Sequence, residues 1–169
     1  MSTRLNKGAP RAVADISEGV VHASVEIAAS PERVFRALAS EEQVAWWSTH
    51  SDYRTTKWQG DVRVGGAWRV DGVGADGVPF RIDGEFFEVD PPHKLVHTWR
   101  PAWESPHVTT VTYRLEAIPS GTRVTVRHEG FTGRPESCRS HSNGWERVLD
   151  GLRSHFPGGE DGQHGKERP

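Results

Sequence analysis

With a single cysteine, Cys138, the chain can close no internal disulfide and build no cysteine-based metal cluster. It lacks any apolar run approaching the length of a membrane span, and its first nineteen residues hold no continuous apolar segment of the kind a signal peptide needs. Neither sign of charge dominates. The formal net charge is -2 at pH 7, and the basic residues are scattered without a dense run. Nothing electrostatic therefore points to nucleic acid or an anionic membrane as a partner. No internal repeat or low-complexity array is present. The expectation is one soluble, cytoplasmic domain, a monomer or a weak homodimer through an edge strand. At 169 residues it is long enough to bury about two-thirds of its unfolded surface without staples.

What the chain does have is tryptophan, seven of them. An indole supplies a large rigid contact area but needs a partner for its N–H when buried. Seven such rings either fill a core or line a cavity for an apolar or aromatic ligand.

Met1 to Gly19 shows no periodicity and reads as an irregular tail, and "PGGEDGQHGKERP" (157–169) is too polar to pack. The domain is expected over 20–156. "VVHASVEI" alternates as a half-buried strand. In "SPERVFRALASEEQVAWW", Ser30 is a good N-cap, Pro31 suits the first helical position, and the break near Ser40 leaves one or two short helices. From Tyr53 to His128 the period becomes 2, punctuated by Gly, Asp and Pro turns, which predicts consecutive antiparallel strands. "PESCRSHSNGWERVLDGLRSHF" then places Cys138, His141, Trp145, Val148, Leu149, Leu152 and Phe156 on one helical stripe. Gly144 interrupts that helix, and a strand crossing close to it is the expected reason. The simplest α+β packing lays the long helix across the concave face of a curved antiparallel sheet.

This order of elements resembles the START-like (SRPBCC) superfamily, the helix-grip fold shared with birch-pollen-allergen-like proteins and aromatic-polyketide cyclases. "SPERVFRALAS", the Trp46-Trp47 pair, "VGGAW", "GEFFEVDPPHKLVHTW", "GTRVTVRHEGF" and "GWERVLDGL" look specifically like the branch of activators of the heat-shock-protein-90 ATPase. The resemblance runs from about Val20 to Phe156. It implies a helix-grip fold with a cavity, and it brings co-chaperone activity in through the family's name. Fold alone does not fix function, because one cavity serves many activities.

"TRVTVRHE" puts His128 on the face of Val124 and Val126 and turns Glu129 the other way, so the two cannot act as a dyad. The "IPSG" turn pairs Leu115 with Val124, Tyr113 with Val126 and Val111 with His128. On the preceding strand Leu95, His97 and Trp99 share the apolar parity, with His97 expected approximately opposite Thr109. His97, His128 and, from the helix, His141 thus converge on one cavity. Three imidazoles suggest zinc, but there is no local ligand spacing and no carboxylate placed to hold a ligating imidazole from behind, and no metal or cofactor is expected. The plainer role is a neutral imidazole bonded to backbone or water at the cavity edge. Cys138 reads as a buried thiol, and "VGGAWRVDG" lacks the form of a phosphate loop.

The leading expectation is a binder of a small apolar or aromatic molecule. Trp68, Phe86, Trp99, Tyr113 and Trp145 would form its walls, with His97, His128 and His141 as polar anchors. A cyclase- or hydrolase-like enzyme would instead use His128 or His97 as general base with Tyr113 as hydroxyl donor. A protein-interaction module would show a filled core and an exposed apolar patch.

Overall fold

A computed structural model of the chain describes residues 8–47 and 53–158. Eight strands form one antiparallel sheet: β1 (Arg11–Asp15), β2 (Val20–Ile27), β3 (Tyr53–Gly60), β4 (Ala67–Gly74), β5 (Pro79–Asp90), β6 (Lys94–Pro101), β7 (Thr109–Ile118) and β8 (Gly121–Glu129). Their order is β1-β2-β8-β7-β6-β5-β4-β3, a six-strand meander whose last strand pairs back onto β2. Two short helices, α1 (Pro31–Leu38) and α2 (Gln43–Trp47), follow β2, and a long helix α3 (Pro135–His155) packs on the concave face against β2, β1 and α2. This is the helix-grip arrangement that the α+β patterning leads one to expect.

Local chemistry explains most of the boundaries. Ser30 caps α1 by accepting a hydrogen bond from the Arg33 amide at 3.2 Å, with Pro31 at the first helical position. The chain then breaks at Ser40, whose hydroxyl bonds the Arg36 carbonyl, and restarts as α2. The Arg33 guanidinium forms a two-point contact with Glu42 at 2.9 and 2.6 Å and lies over the Phe156 ring, while His155 reaches the same carboxylate. The end of α3 is thereby tied to α1. At the turn between β7 and β8, Gly121 adopts φ 142° against the Ile27 carbonyl, where a Cβ would collide.

The stretch expected to be an irregular N-terminal tail contains β1, in register with β2 from Arg11 opposite Ser24 to Asp15 opposite Val20. Its pattern hides it. The inward residues are the small Ala12 and Ala14, packed against the core, while Val13 points outward and is 63% exposed. A strand with alanines inside and valine outside carries no hydrophobic alternation of the usual sign. Met1 to Lys7 and the chain beyond Gly158 lie outside the described residues, as does most of the expected C-terminal tail.

The hairpin β7–β8 has the expected register, with Leu115 opposite Val124, Tyr113 opposite Val126 and Val111 opposite His128. The neighbouring hairpin differs by two residues: His97 faces Val111, and it is Trp99 that faces Thr109. The connection there contains a 3₁₀ turn, Ala102–Glu104, a length of chain that strand periodicity does not register.

Candidate functional site

Three indoles meet where α2, β6 and α3 converge. Trp47, Trp99 and Trp145 form a triangle with ring centroids 5.9 Å apart for the stacked Trp47–Trp99 pair and 6.1 Å apart for each of the other two. They border a cleft of about 390 Å³ that opens between the middle of α3 and the β4–β5 hairpin. The opposite wall is hydrocarbon: Val78, Pro79, Phe80 and Ile82. Gly144 lies on the helix side, where no Cβ narrows the space, so the glycine lines the cleft and is not covered by a crossing strand. Trp103 stands at the mouth, 58% exposed and edge-on to Phe80 at 6.0 Å and 85°. Asp76, Ser140 and Arg147 supply polar groups around the rim. Such a volume falls in the range of small-molecule sites, about 300–1,000 Å³.

The two indoles from β6 and α3 are held by histidines. Trp145 Nε1–H donates to His128 Nδ1 at 2.9 Å. That fixes the imidazole as the Nε2–H form, which donates to Thr109 Oγ1 at 2.6 Å, and the Thr109 hydroxyl in turn donates to the Trp99 carbonyl at 3.3 Å. Trp99 Nε1–H donates to His141 Nε2 at 3.2 Å, while His141 Nδ1–H donates to the Ser137 carbonyl at 2.9 Å. The histidine rings also pack edge-on among the aromatics: His128 sits 5.4 Å from Trp99 and 4.8 Å from Phe131. Both imidazoles are therefore neutral, with both nitrogens engaged. Burial holds His128 well on the acidic side of the ordinary histidine value, with the neighbouring His141 and His97 pushing the same way, and burial lowers His141 too.

His97 belongs to a different environment. Its Nδ1–H donates to the Thr98 carbonyl at 2.9 Å, and its ring packs against Trp68, Phe86 and Tyr113 at 4.8, 5.9 and 5.9 Å. Burial lowers it to about 4. The space beside it is about 10 Å³, room for one water molecule at most. Tyr113 is 1% exposed, and burial drives its hydroxyl far above the ordinary phenol range.

A wider depression, about 790 Å³, lies outside the sheet over β4–β6. Its walls include Arg69, Asp83, Glu85 and Arg100 beside Ala67 and Val108, and Arg100 is already paired with Asp83 at 2.8 Å. Among the described residues no three histidine, cysteine or carboxylate side chains gather as a metal site, and no helix is long and apolar enough to cross a membrane.

Residues 28–156 match the family model described as activator of Hsp90 ATPase homolog 1-like protein. The chain belongs to this family. The fold is shared with a Rhodobacter sphaeroides protein at TM-score 0.76 and 21% identity, covering 88% of this chain and 98% of that one. A protein from Arthrobacter aurescens matches at TM-score 0.75 and 18% identity over 88% and 92% of the two chains. An AHSA1-like protein from Aeromonas hydrophila matches at TM-score 0.67 and 23% identity over 89% and 96%. No protein of curated function matches the sequence.

In this member of the activator-homologue family, the eight side chains expected around one cavity divide into three groups. Trp99, His141 and Trp145 line the open cleft. Trp68, Phe86, His97 and Tyr113 surround the nearly filled space beneath it, which Trp99 also borders. His128 lies fully buried behind Trp99 and Trp145, at 0% exposure. Glu129, its sequence neighbour, points outward toward Arg127. Sequence reasoning did not reach Trp47, Phe80 and Trp103. Phe80 shares the inward parity of Ile82, a signal that was available. Trp103 sits in "RPAWESP", a connection with no period to read.

Proposed function

We propose that this protein binds a small, largely apolar or aromatic molecule in the cleft between α3 and the β4–β5 hairpin. The observation that carries the reading is the open cleft bordered by the Trp47–Trp99–Trp145 triangle on one side and Phe80 and Ile82 on the other, whereas the space around His97 and Tyr113 is nearly filled. In this reading Trp99 and Trp145 serve as walls, and Trp47, Phe80 and Trp103 join them; His141, expected as a polar anchor, also lines the cleft but has both nitrogens engaged. Membership of a family built on this fold supports a ligand-binding domain in general terms.

The same geometry weighs against the general-base alternative. His128 uses one nitrogen to hold an indole and the other to hold a threonine, so it has no lone pair for a substrate proton. His97 and Tyr113 face a space too small for a substrate. The test is native mass spectrometry of the freshly purified protein, followed by fluorescence titration with apolar and aromatic compounds. A co-purifying small molecule, or saturable quenching that Trp99→Ala and Trp145→Ala abolish, supports the cleft. A clean apo mass with no saturable response removes it and leaves the interaction module.

A further inference from the structure

Trp103 is out of place in a chain that hides its indoles. Trp46, Trp47, Trp68, Trp99 and Trp145 are buried and Trp58 is partly buried, whereas Trp103 exposes more than half its surface on a three-residue 3₁₀ turn. It is not loosely held. The next residue, Glu104, accepts a hydrogen bond from Ser137 Oγ at 2.8 Å and lies 3.6 Å from Arg134, both at the start of α3. The ring itself stands edge-on to Phe80 of β5. One exposed indole is thus pinned between the helix and the hairpin, at the mouth of the cleft, with the exposed Val78 nearby on the hairpin. An apolar ring left in water gains most from a flat partner laid against it.

The inner walls add a second constraint. The ring nitrogens of Trp99, Trp145 and His141 are engaged, since the two indoles donate to imidazoles and His141 donates onward to a backbone carbonyl. Across the cleft, the hairpin tip closes on itself: Gly77 N–H donates to the Gly74 carbonyl, Gly74 N–H to the Val78 carbonyl, and Val78 N–H to Asp76 Oδ1. A molecule seated between these walls meets π faces and hydrocarbon. Hydrogen-bonding groups wait at the rim, on Ser140, Asp76 and Arg147.

Resting on the cleft reading above, we infer that Trp103 is the specificity-determining outer wall of the site, stacking on a planar ring system that enters with an unsubstituted, apolar edge first and keeps its polar group at the rim. Trp103 selects for flatness, and the inner walls select against a polar group at the buried edge.

The experiment uses the full chain, isothermal titration calorimetry and two probes, 2-naphthol and 2,6-dihydroxynaphthalene. The second differs by a hydroxyl that the proposed orientation must bury. The expected result is saturable binding of 2-naphthol and about tenfold weaker binding of the diol, because a buried hydroxyl without a partner is costly. Trp103→Ala lowers 2-naphthol affinity about tenfold while leaving the unfolding midpoint unchanged, and Trp103→Phe restores most of it. Equal affinity for the two probes, together with indifference to Trp103→Ala, overturns this inference and leaves the cleft standing. Absence of saturable binding by either probe overturns the cleft reading and this inference together.

Discussion

Acid should unfold this protein earlier than its carboxylates alone would demand. His97 is buried and neutral in the folded chain, with burial lowering it from the ordinary 6.5 to about 4. Once unfolded, it accepts a proton below 6.5, so the unfolded state binds more protons and stability is lost as pH falls from 6.5 toward about 4. At pH 7.5 the effect is nil. At pH 5, the gap between 6.5 and about 4 makes His97 alone worth about 2 kcal/mol, rising to about 3 kcal/mol once the pH reaches the folded value. His128, buried as deeply and lowered for the same reason, adds to the loss in the same direction, and so does His141. The assay is urea denaturation followed by tryptophan fluorescence at half-unit steps from pH 7.5 to 5. The series stops there because the Glu42 carboxyl, held low by Arg33, and the Asp15 carboxyl, held low by the Glu18 amide, contribute mainly in more acidic solution. His97→Gln removes one proton from the unfolding reaction and should flatten the slope by up to about 1.4 kcal/mol per pH unit. A stability that changes by less than about 0.5 kcal/mol over this range refutes the neutral-imidazole assignment. So does a His97→Gln slope equal to that of the natural sequence.

Three further perturbations check other parts of the structure. Trp145→Phe keeps most of the ring but leaves His128 Nδ1 buried without its donor, and should cost about 1–3 kcal/mol in urea denaturation; a neutral outcome means the hydrogen bond does not hold the imidazole. Gly84 lies where a Cβ would collide with the Thr98 carbonyl and come within 2.6 Å of Trp68 Nε1, so Gly84→Ala should destabilise by about 1–3 kcal/mol, seen as a lowered Tm. Cys138, fully buried with its thiol directed at the Val20 carbonyl and raised above its ordinary value by burial, should resist a thiol reagent in the native state and react on denaturation; rapid native reaction contradicts the burial.

The fold was legible because its signals are local. Ser30 and Pro31 announce α1, the "IPSG" turn sets the β7–β8 register, and the stripe from Cys138 to Leu152 defines α3. β1 escaped because Ala12 and Ala14 face inward while Val13 faces water, a reversal that periodicity reads as no strand at all. The site was half legible. Parity placed Trp99, Trp145 and His141 on the inward faces, but parity does not separate a residue on a filled core from one on an open cleft. That distinction depends on how the β4–β5 hairpin and the turn around Trp103 lean relative to α3. No local pattern encodes a distance between a hairpin tip and a helix far along the chain.

The histidines on apolar faces follow from the tryptophans. A buried indole needs an acceptor, and in a sheet most carbonyls are consumed by the ladder. Trp46 finds the Ala37 carbonyl in the last turn of α1, where helical carbonyls lack partners, at 2.8 Å. Trp68 finds the Thr98 carbonyl at 3.2 Å, beside the stretch where the β5–β6 register shifts and the Thr98 hydroxyl accepts the Glu85 amide. Trp99 and Trp145 point into the space between sheet and helix, and there the acceptors are His141 and His128. Imidazole suits that place because it offers a lone pair in a flat ring that packs edge-on with its neighbours. The consequence bears on function directly. A lone pair that holds an indole cannot also take a proton from a substrate, so these histidines hold the indoles that wall the cleft only while they stay neutral.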